Sequence, residues 1–228
     1  MKATPLTLDA ALAQLHELAD PQVKAGLAHF GSRPGHSLGI RMPDLRQLAR
    51  GQRSHPLALG LWASGIHEAR ILASLVDDPR QVTREQMEAW VQDFDAWDLC
   101  DQVCGNLFDR TPYAVQQALD WAGREEEYVR RAGFVLMAGM AVHRKDLPDE
   151  VFLDFLPVIL AYAGDERNFV RKAVNWALRS IGKNRTGLWA PAVELARQME
   201  QLDSPAARWN AKDALRELLA RPPRQAPA

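Results

Sequence analysis

The chain has 228 residues, of which 47% are apolar and 25% charged, and its formal net charge is −1. This composition excludes wholesale disorder, and no apolar run reaches the ~20 residues that a membrane-spanning helix needs. The N-terminal residues lack a signal-peptide core, and Cys100 and Cys104 are the only cysteines. We therefore expect a cytoplasmic protein without a disulfide framework.

Helical segments follow one another along the whole chain. Apolar residues recur at the 3.6-residue period of an amphipathic helix, and no sustained period of two or Asn-Gly or Asp-Gly turn predicts a β-hairpin. The predicted helices cover residues 7–19, 43–51, 66–77, 83–93, 95–108, 112–122, 126–142, 149–163, 167–182, 188–201 and 205–220. Their short polar connections predict an all-α domain over 1–220, built of HEAT/armadillo-like hairpins stacked into a curved solenoid with a concave groove. We expect the tail, 221–228, to be disordered.

An internal repeat supports this architecture. The run Tyr128-Val129-Arg130-Arg131-Ala132 returns 41 residues later as Phe169-Val170-Arg171-Lys172-Ala173, and a weaker echo begins at Trp209. A period near 40 residues is typical of HEAT and armadillo repeats. Chance similarity between helical segments is the alternative.

One carboxylate lies on an apolar helix face. In helix 95–108, a helical wheel places Asp101 beside Trp97 in the apolar sector, whereas Asp98 and Gln102 point to solvent and Asp95 serves as the N-cap. A carboxylate in that position is costly unless it is paired or faces a polar cavity. The two alternatives for Asp101 are a structural ion pair with a neighbouring helix and a functional role.

Cationic side chains on two later helices are candidates for phosphate binding. Helix 126–142 is apolar almost all round, so Arg131 needs a partner, either Asp101 or a phosphate. In helix 167–182, Trp176 lies opposite the core stripe and among cations, where it either stacks on nucleic acid or packs against a neighbouring repeat. Six basic residues and no acidic one lie between 167 and 193, namely Arg167, Arg171, Lys172, Arg179, Lys183 and Arg185.

Other chemical signals are weak. Cys100 and Cys104 lie one turn apart without further zinc ligands nearby, so we expect buried thiols and no metal site. The chain carries none of the familiar nucleotide-binding, serine-hydrolase or zinc-protease motifs. We interpret Glu68 and Arg70 as a structural ion pair.

Several of these segments, taken in order, resemble AlkD-type DNA alkylation repair proteins. The resemblance covers about residues 25–220. It rests on Leu38-Gly39-Ile40-Arg41-Met42-Pro43-Asp44-Leu45-Arg46, Glu68-Ala69-Arg70, Trp97-Asp98-Leu99-Cys100-Asp101, Val129-Arg130-Arg131-Ala132 and the run from Phe169 to Arg179.

The resemblance implies HEAT-like repeats and an enzyme of base excision repair. Active members are monofunctional glycosylases that remove cationic N3- and N7-alkylated purines from double-stranded DNA, without metal or organic cofactor. Position by position, Asp101 matches the catalytic aspartate and Trp97 the tryptophan one turn before it. Arg131 matches the arginine of the DNA-binding cleft, and Trp176 matches its second tryptophan.

The resemblance also leaves two questions open. Some members bind unusual DNA structures without excising a base, so a non-catalytic binder of damaged or branched DNA is an alternative, as is a protein-interaction scaffold. In addition, Arg41 stands where at least one family member has glutamine. We expect a monomer that contacts DNA through Arg41, Arg171, Lys172, Arg179, Lys183 and Arg185.

Overall fold

The computed structural model describes residues 5–29, 36–220 and 222, and within these ranges the chain is helical with no strand. The predicted all-α class is confirmed. The α-helices are α1 Leu8–Glu17, α2 Pro21–His29, α3 Met42–Leu48, α4 His55–Ala63, α5 His67–Val76, α6 Arg84–Gln92, α7 Trp97–Asn106, α8 Ala114–Ala122, α9 Glu127–His143, α10 Asp149–Ala161, α11 Asn168–Asn184, α12 Trp189–Glu200 and α13 Pro205–Ala220. Short 3-10 turns occupy Phe108–Arg110 and Thr186–Leu188. No described helix is long and apolar enough to cross a membrane.

All eleven predicted helices are present, and α2 and α4 are additional. Helix α4 begins at a capping serine, Ser54, whose hydroxyl accepts a hydrogen bond from the amide of Leu57, and Pro56 stands in its first turn. These are ordinary helix-start signals. The helix is apolar on nearly all sides, so it lacks the periodicity that identified the others.

The helices form two compact units, Met1–Thr111 and Pro112–Ala228. The assignment of 1–220 to one domain stays a prediction, and the tail predicted to be disordered lies outside the described residues except for Pro222. In the first unit, α5 packs against α3, α4 and α7. Trp62 and Trp90 stack there with ring centroids 3.9 Å apart.

In the second unit, α9 packs against α8 and α11, and α11 also contacts α12 and α13. The apolar character of helix 126–142 on almost all sides agrees with the twelve buried residues of α9. Gly133 permits this packing, because a Cβ there would lie 2.4 Å from the backbone nitrogen of Ala122. The core stripe predicted for α11 is buried as expected; its members are Val170, Val174, Ala177, Leu178 and Ile181.

Candidate functional site

A buried carboxylate on α5 holds the loop before α3. The Glu68 side chain is 1% exposed and accepts hydrogen bonds from the Ser37 hydroxyl and the amides of Leu38 and Gly39, at 2.6–2.8 Å. Gly39 adopts a φ of +80°, and a Cβ there would lie 2.3 Å from the carbonyl oxygen of Asp20, so glycine is required. The predicted Glu68–Arg70 ion pair is wrong, because Arg70 instead binds Asp93 at 3.0 Å.

The anchored loop forms one side of a pocket of about 320 Å³ in the first unit. Arg41 and Trp97, both predicted as site residues, line this pocket together. His67 and Asp98 line it as well, and its apolar surface comes from Val23, Ile40, Met42 and Ile71. The fold therefore brings two of the predicted residues to one cavity and adds a histidine that the sequence did not single out.

His67 and Asp98 form a hydrogen-bonded pair at this pocket. The imidazole Nε2 donates to the Asp98 carboxylate at 2.9 Å, and the His67 side chain is only 3% exposed. Burial opposes protonation, but the Asp98 hydrogen bond and the negative charges of Asp98, Glu68 and Asp95 outweigh it, so the pKa of His67 is raised above 6.5. The carboxylate favours the imidazolium by direct charge interaction.

The partly exposed face of α7 carries Trp97, Asp98, Asp101 and Gln102. Trp97 and Asp101 share a face of α7 as predicted, but this face is partly exposed and not buried. Asp98, which was expected to point to solvent, binds His67. The buried residues of α7 are Leu99, Cys100, Val103 and Cys104. The N-cap is Ala96 rather than Asp95. Asp101 is thus reachable from solvent, one turn after the indole of Trp97.

Behind this face, the thiols of Cys100 and Cys104 are buried and form no disulfide. Burial raises the pKa of the Cys104 thiol far above its ordinary value, and neighbouring Cys100, Asp101 and Asp109 raise it further. A neutral buried thiol is a poor metal ligand and nucleophile. No group of potential metal ligands occurs among residues 5–29 and 36–220.

In the second unit, Arg131 is 5% exposed and donates a hydrogen bond to the carbonyl of Phe169 near the start of α11. Phe169 also contacts the ring of Tyr128, with centroids 5.7 Å apart. The contact between Tyr128 and Phe169 joins equivalent positions of the predicted repeat. The Arg131 side chain therefore holds two neighbouring repeats together, whatever else it contacts.

The exposed surface of α11 presents an aromatic ring and cations. Trp176 is partly exposed and Lys172 is exposed. The Arg171 guanidinium lies over the ring of Trp209, 4.6 Å from its centroid, and Trp209 is 40% exposed. In the sequence, Trp209 was visible only as a weak third copy of the repeat position held by Tyr128 and Phe169. The structure adds that its ring is partly exposed to solvent and contacts Arg171.

Three further cations of the basic tract have partners within the fold. Arg179 and Lys183 both bind Glu217, and Lys183 does so at 2.6 Å. Burial opposes ionisation of Glu217, but these two cations outweigh it and lower its pKa. Arg185 is 7% exposed and donates to the carbonyls of Leu147 and Arg144. Because Arg185 is buried, the structure does not support the predicted contact between Arg185 and DNA.

The family model described as DNA alkylation repair enzyme matches residues 11–218. Among solved structures, the chain is similar to a protein of a family related to the HEAT-like repeat DNA glycosylases, with affinity for branched DNA structures. The identity is 18% with a TM-score of 0.78, and the match covers 97% of this chain and 99% of that one. This likeness confirms the HEAT-like repeat fold.

An engineered protein also aligns, at 13% identity and a TM-score of 0.42 over 91% of this chain and 98% of its own. A second engineered protein aligns at 14% identity and a TM-score of 0.37 over 91% and 96%. No curated protein matches the chain.

Proposed function

Because the chain belongs to the DNA alkylation repair enzyme family, we propose that it is a monofunctional glycosylase acting on cationic N3- and N7-alkylated purines in duplex DNA. The observation that carries this proposal is the partly exposed carboxylate of Asp101 on the same face of α7 as Trp97. We further propose that it works in the cytoplasm as a monomer, without metal or cofactor.

The chemistry requires a fixed negative charge near the sugar. Alkylation places a positive charge on the purine, so the glycosidic bond breaks with its electron pair moving to the base, which leaves neutral. The sugar becomes oxocarbenium-like in the transition state, and water then attacks its anomeric carbon and loses a proton. Asp101 would stabilise this cation and orient the water.

The magnitude of this stabilisation is sufficient for catalysis. At ~4 Å and an effective dielectric of about 20, one charge pair contributes roughly 4 kcal/mol. If the interaction is realised mainly in the transition state, it accelerates the reaction about a thousandfold. No proton needs to be delivered to the leaving base, so a single carboxylate can suffice.

DNA binding would come from aromatic and cationic side chains. Trp97 offers a ring beside Asp101, and an indole attracts a cationic nucleotide by ~0.5–2 kcal/mol. In the second unit, Trp176 and exposed Lys172 are candidates for contacts to DNA. Arg131 matches the cleft arginine of the family, but it is 5% exposed and donates to the Phe169 carbonyl, so we propose that it supports the DNA-binding surface by joining the two repeats.

The direct test is to incubate the folded protein with duplex DNA that contains N7-methylguanine and to measure the free base. We expect release well above the spontaneous rate. Release at the spontaneous rate, by protein that demonstrably binds the same duplex, would contradict the proposal.

A non-catalytic binder of branched or distorted DNA is the second candidate. The observation in its favour is the fold shared with a protein that has affinity for branched DNA structures. It predicts salt-sensitive binding to a branched duplex without base release. A protein-interaction scaffold is the third candidate; it is favoured by the Glu217 pairing of Arg179 and Lys183, and it predicts no affinity for DNA.

A further inference from the structure

Trp209 on α13 is the most exposed of the seven tryptophans. It is 40% exposed, whereas Trp62, Trp90 and Trp121 are buried and the other three are only partly exposed. A single exposed apolar side chain is ordinary on a protein surface. The residues around the ring therefore decide what it can do.

The ring stands on a fixed part of the backbone. The next residue, Asn210, is fully buried, and its side-chain amide donates to the carbonyl of Ala163 at 3.0 Å. The carbonyl of Asn210 accepts from the side chain of Asn175 at 3.1 Å. Arg171 places its guanidinium over the indole, 4.6 Å from the ring centroid. Trp209 is thus held in its exposed position before any ligand arrives, and a preorganised ring loses little entropy on binding.

The exposed face of α13 beside the ring carries mostly positive charge. Four residues at positions i, i+3, i+4 and i+7 share this face and line a cavity of about 370 Å³, namely Trp209, Lys212, Asp213 and Arg216. Asp213 already pairs with Arg216 and with Arg179. Lys212 is exposed and forms no ion pair within the part of the chain that the structure describes. The cavity therefore offers an indole and an unpaired ammonium group to the same ligand.

An exposed indole among cations fits an unpaired strand of nucleic acid. Every nucleobase has a π-face that can stack on an aromatic ring, and the phosphates between the bases meet the cations. In a duplex the bases stack on one another, so an indole at the side of the helix cannot reach their faces. An acidic protein segment would satisfy the cations but would leave the indole without a partner.

We propose that this face of α13 binds an unpaired strand of nucleic acid, with one base stacked on Trp209 and the adjoining phosphates at Lys212 and Arg216. Arg171 keeps the ring in place and adds a further positive charge. The site shares no residue with the pocket beside α7. The inference goes beyond the proposed glycosylase, because it requires neither a damaged base nor excision.

The test uses the full chain and two fluorescein-labelled oligonucleotides with the same number of phosphates. One is oligodeoxythymidylate. The other carries abasic tetrahydrofuran residues throughout, so it offers the same charge without bases. Fluorescence anisotropy measures both affinities. We expect the strand with bases to bind at least about fivefold more tightly, which is the smallest effect that stacking of one base provides.

Substitutions on α13 separate stacking from charge. Trp209→Ala should abolish the preference for the strand with bases, whereas Trp209→Phe keeps a ring and should retain most of it. Lys212→Ala should lower the slope of log affinity against log salt concentration by about 0.7, the value for one phosphate contact on a single strand. Thermal unfolding checks that each variant is folded.

Leu219→Ala is the matched control for Trp209→Ala. Leu219 is 49% exposed on the same helix but does not line the cavity. Its replacement should change neither the preference for bases nor the salt dependence. An equal loss in Leu219→Ala and Trp209→Ala would overturn the proposal, because the effect would then belong to exposed apolar surface in general.

Two further probes identify the partner. Binding of oligouridylate that Trp209→Ala weakens extends the site to RNA, whereas binding of the deoxy strand alone assigns it to DNA. Polyglutamate that binds as tightly as oligodeoxythymidylate would overturn the proposal, as would equal affinity for the strands with and without bases. These probes are single-stranded and carry no alkylated base, so the result does not depend on whether the protein excises purines from duplex DNA.

Discussion

The carboxylate of Glu68 on α5 accepts a 2.7 Å hydrogen bond from the backbone amide of Gly39, in the loop that carries Arg41 to the pocket. A second carboxylate oxygen accepts from the amide of Leu38 at 2.8 Å. The buried side chain of Glu68 thus accepts hydrogen bonds from two backbone amides that lie in a loop, outside any helix.

Replacement of this carboxylate should destabilise the loop. In Glu68→Gln, an NH₂ group would face backbone N–H donors, so at least one buried donor loses its acceptor. We expect a loss of about 1–3 kcal/mol in the free energy of unfolding, measured by urea denaturation at neutral pH. Glu166→Gln, at an exposed position, should change it by less than about 0.5 kcal/mol. Equal effects of the two substitutions would contradict the role of Glu68 in holding the loop before α3.

The His67–Asp98 pair should make stability depend on pH. Because the pKa of His67 in the folded protein is raised above 6.5, the native state holds the proton more tightly than the unfolded chain. The stabilisation is therefore fully present below pH 6.5 and disappears as the pH rises through the raised pKa. The charged groups around His67 are Asp98, Glu68, Asp95 and, at the pocket, Arg41.

The measurement is the free energy of unfolding of wild type and His67→Gln at about pH 5.5 and about pH 8.5. We expect the difference between the two proteins to be larger at the lower pH. A difference that is constant with pH, or that grows at the higher pH, would show that the imidazolium is not the favoured form.

Glycine substitutions in two helices should have opposite effects on stability. A Cβ at Gly105 in α7 would meet nothing within 4 Å among the described residues, whereas one at Gly133 in α9 would press on Ala122. Gly105→Ala should therefore stabilise the protein by roughly 0.5–1 kcal/mol. Gly133→Ala should cost about 1–3 kcal/mol through overpacking.

Gly105 also lies one turn beyond Asp101 on α7. If DNA approaches this face, the added methyl group should reduce base release even though the helix becomes more stable. Thermal unfolding and excision are measured on the same preparation. Unchanged excision by a stabilised Gly105→Ala variant would show that the substrate does not approach α7 at that position.

The exposed and the paired lysine of α11 should contribute differently to DNA binding. Lys172 is exposed, whereas Lys183 forms an ion pair with Glu217. Lys172→Ala should reduce the slope of log affinity against log salt concentration by about 0.9, the value for one phosphate contact on duplex DNA. Lys183→Ala should change this slope less. A larger change for Lys183 would contradict the assignment of Lys172 to the interface.

The helices of this fold could be predicted from the sequence wherever they are amphipathic. Helix α11 shows this best, because its buried stripe from Val170 to Ile181 was readable as a 3.6-residue period. Helix α4 could not be found in this way, because its sequence is apolar on nearly every side, and its exposed side carries Leu59 instead of a polar residue. Its capping serine and proline were the only local signals.

The candidate site was less predictable, because its contacts join residues far apart in sequence. His67 and Asp98 are 31 positions apart, and neither lies in a motif that specifies the other. The helical wheel gave angles around α7 correctly but could not say which side α5 covers. Glu68 illustrates the same limit, since the nearby Arg70 was the obvious local partner and the actual partners are backbone amides of a distant loop.

The proposed catalytic mechanism depends most on Asp101 being the charge that stabilises the sugar cation. The measurement is the single-turnover rate of N7-methylguanine release by wild type, by Asp101→Asn and by Asp95→Asn, an exposed aspartate just before the same helix. We predict that Asp101→Asn lowers the rate about a hundred- to a thousandfold, with DNA affinity and stability nearly unchanged, and that Asp95→Asn stays within about threefold of wild type. Undiminished release by Asp101→Asn would contradict the account.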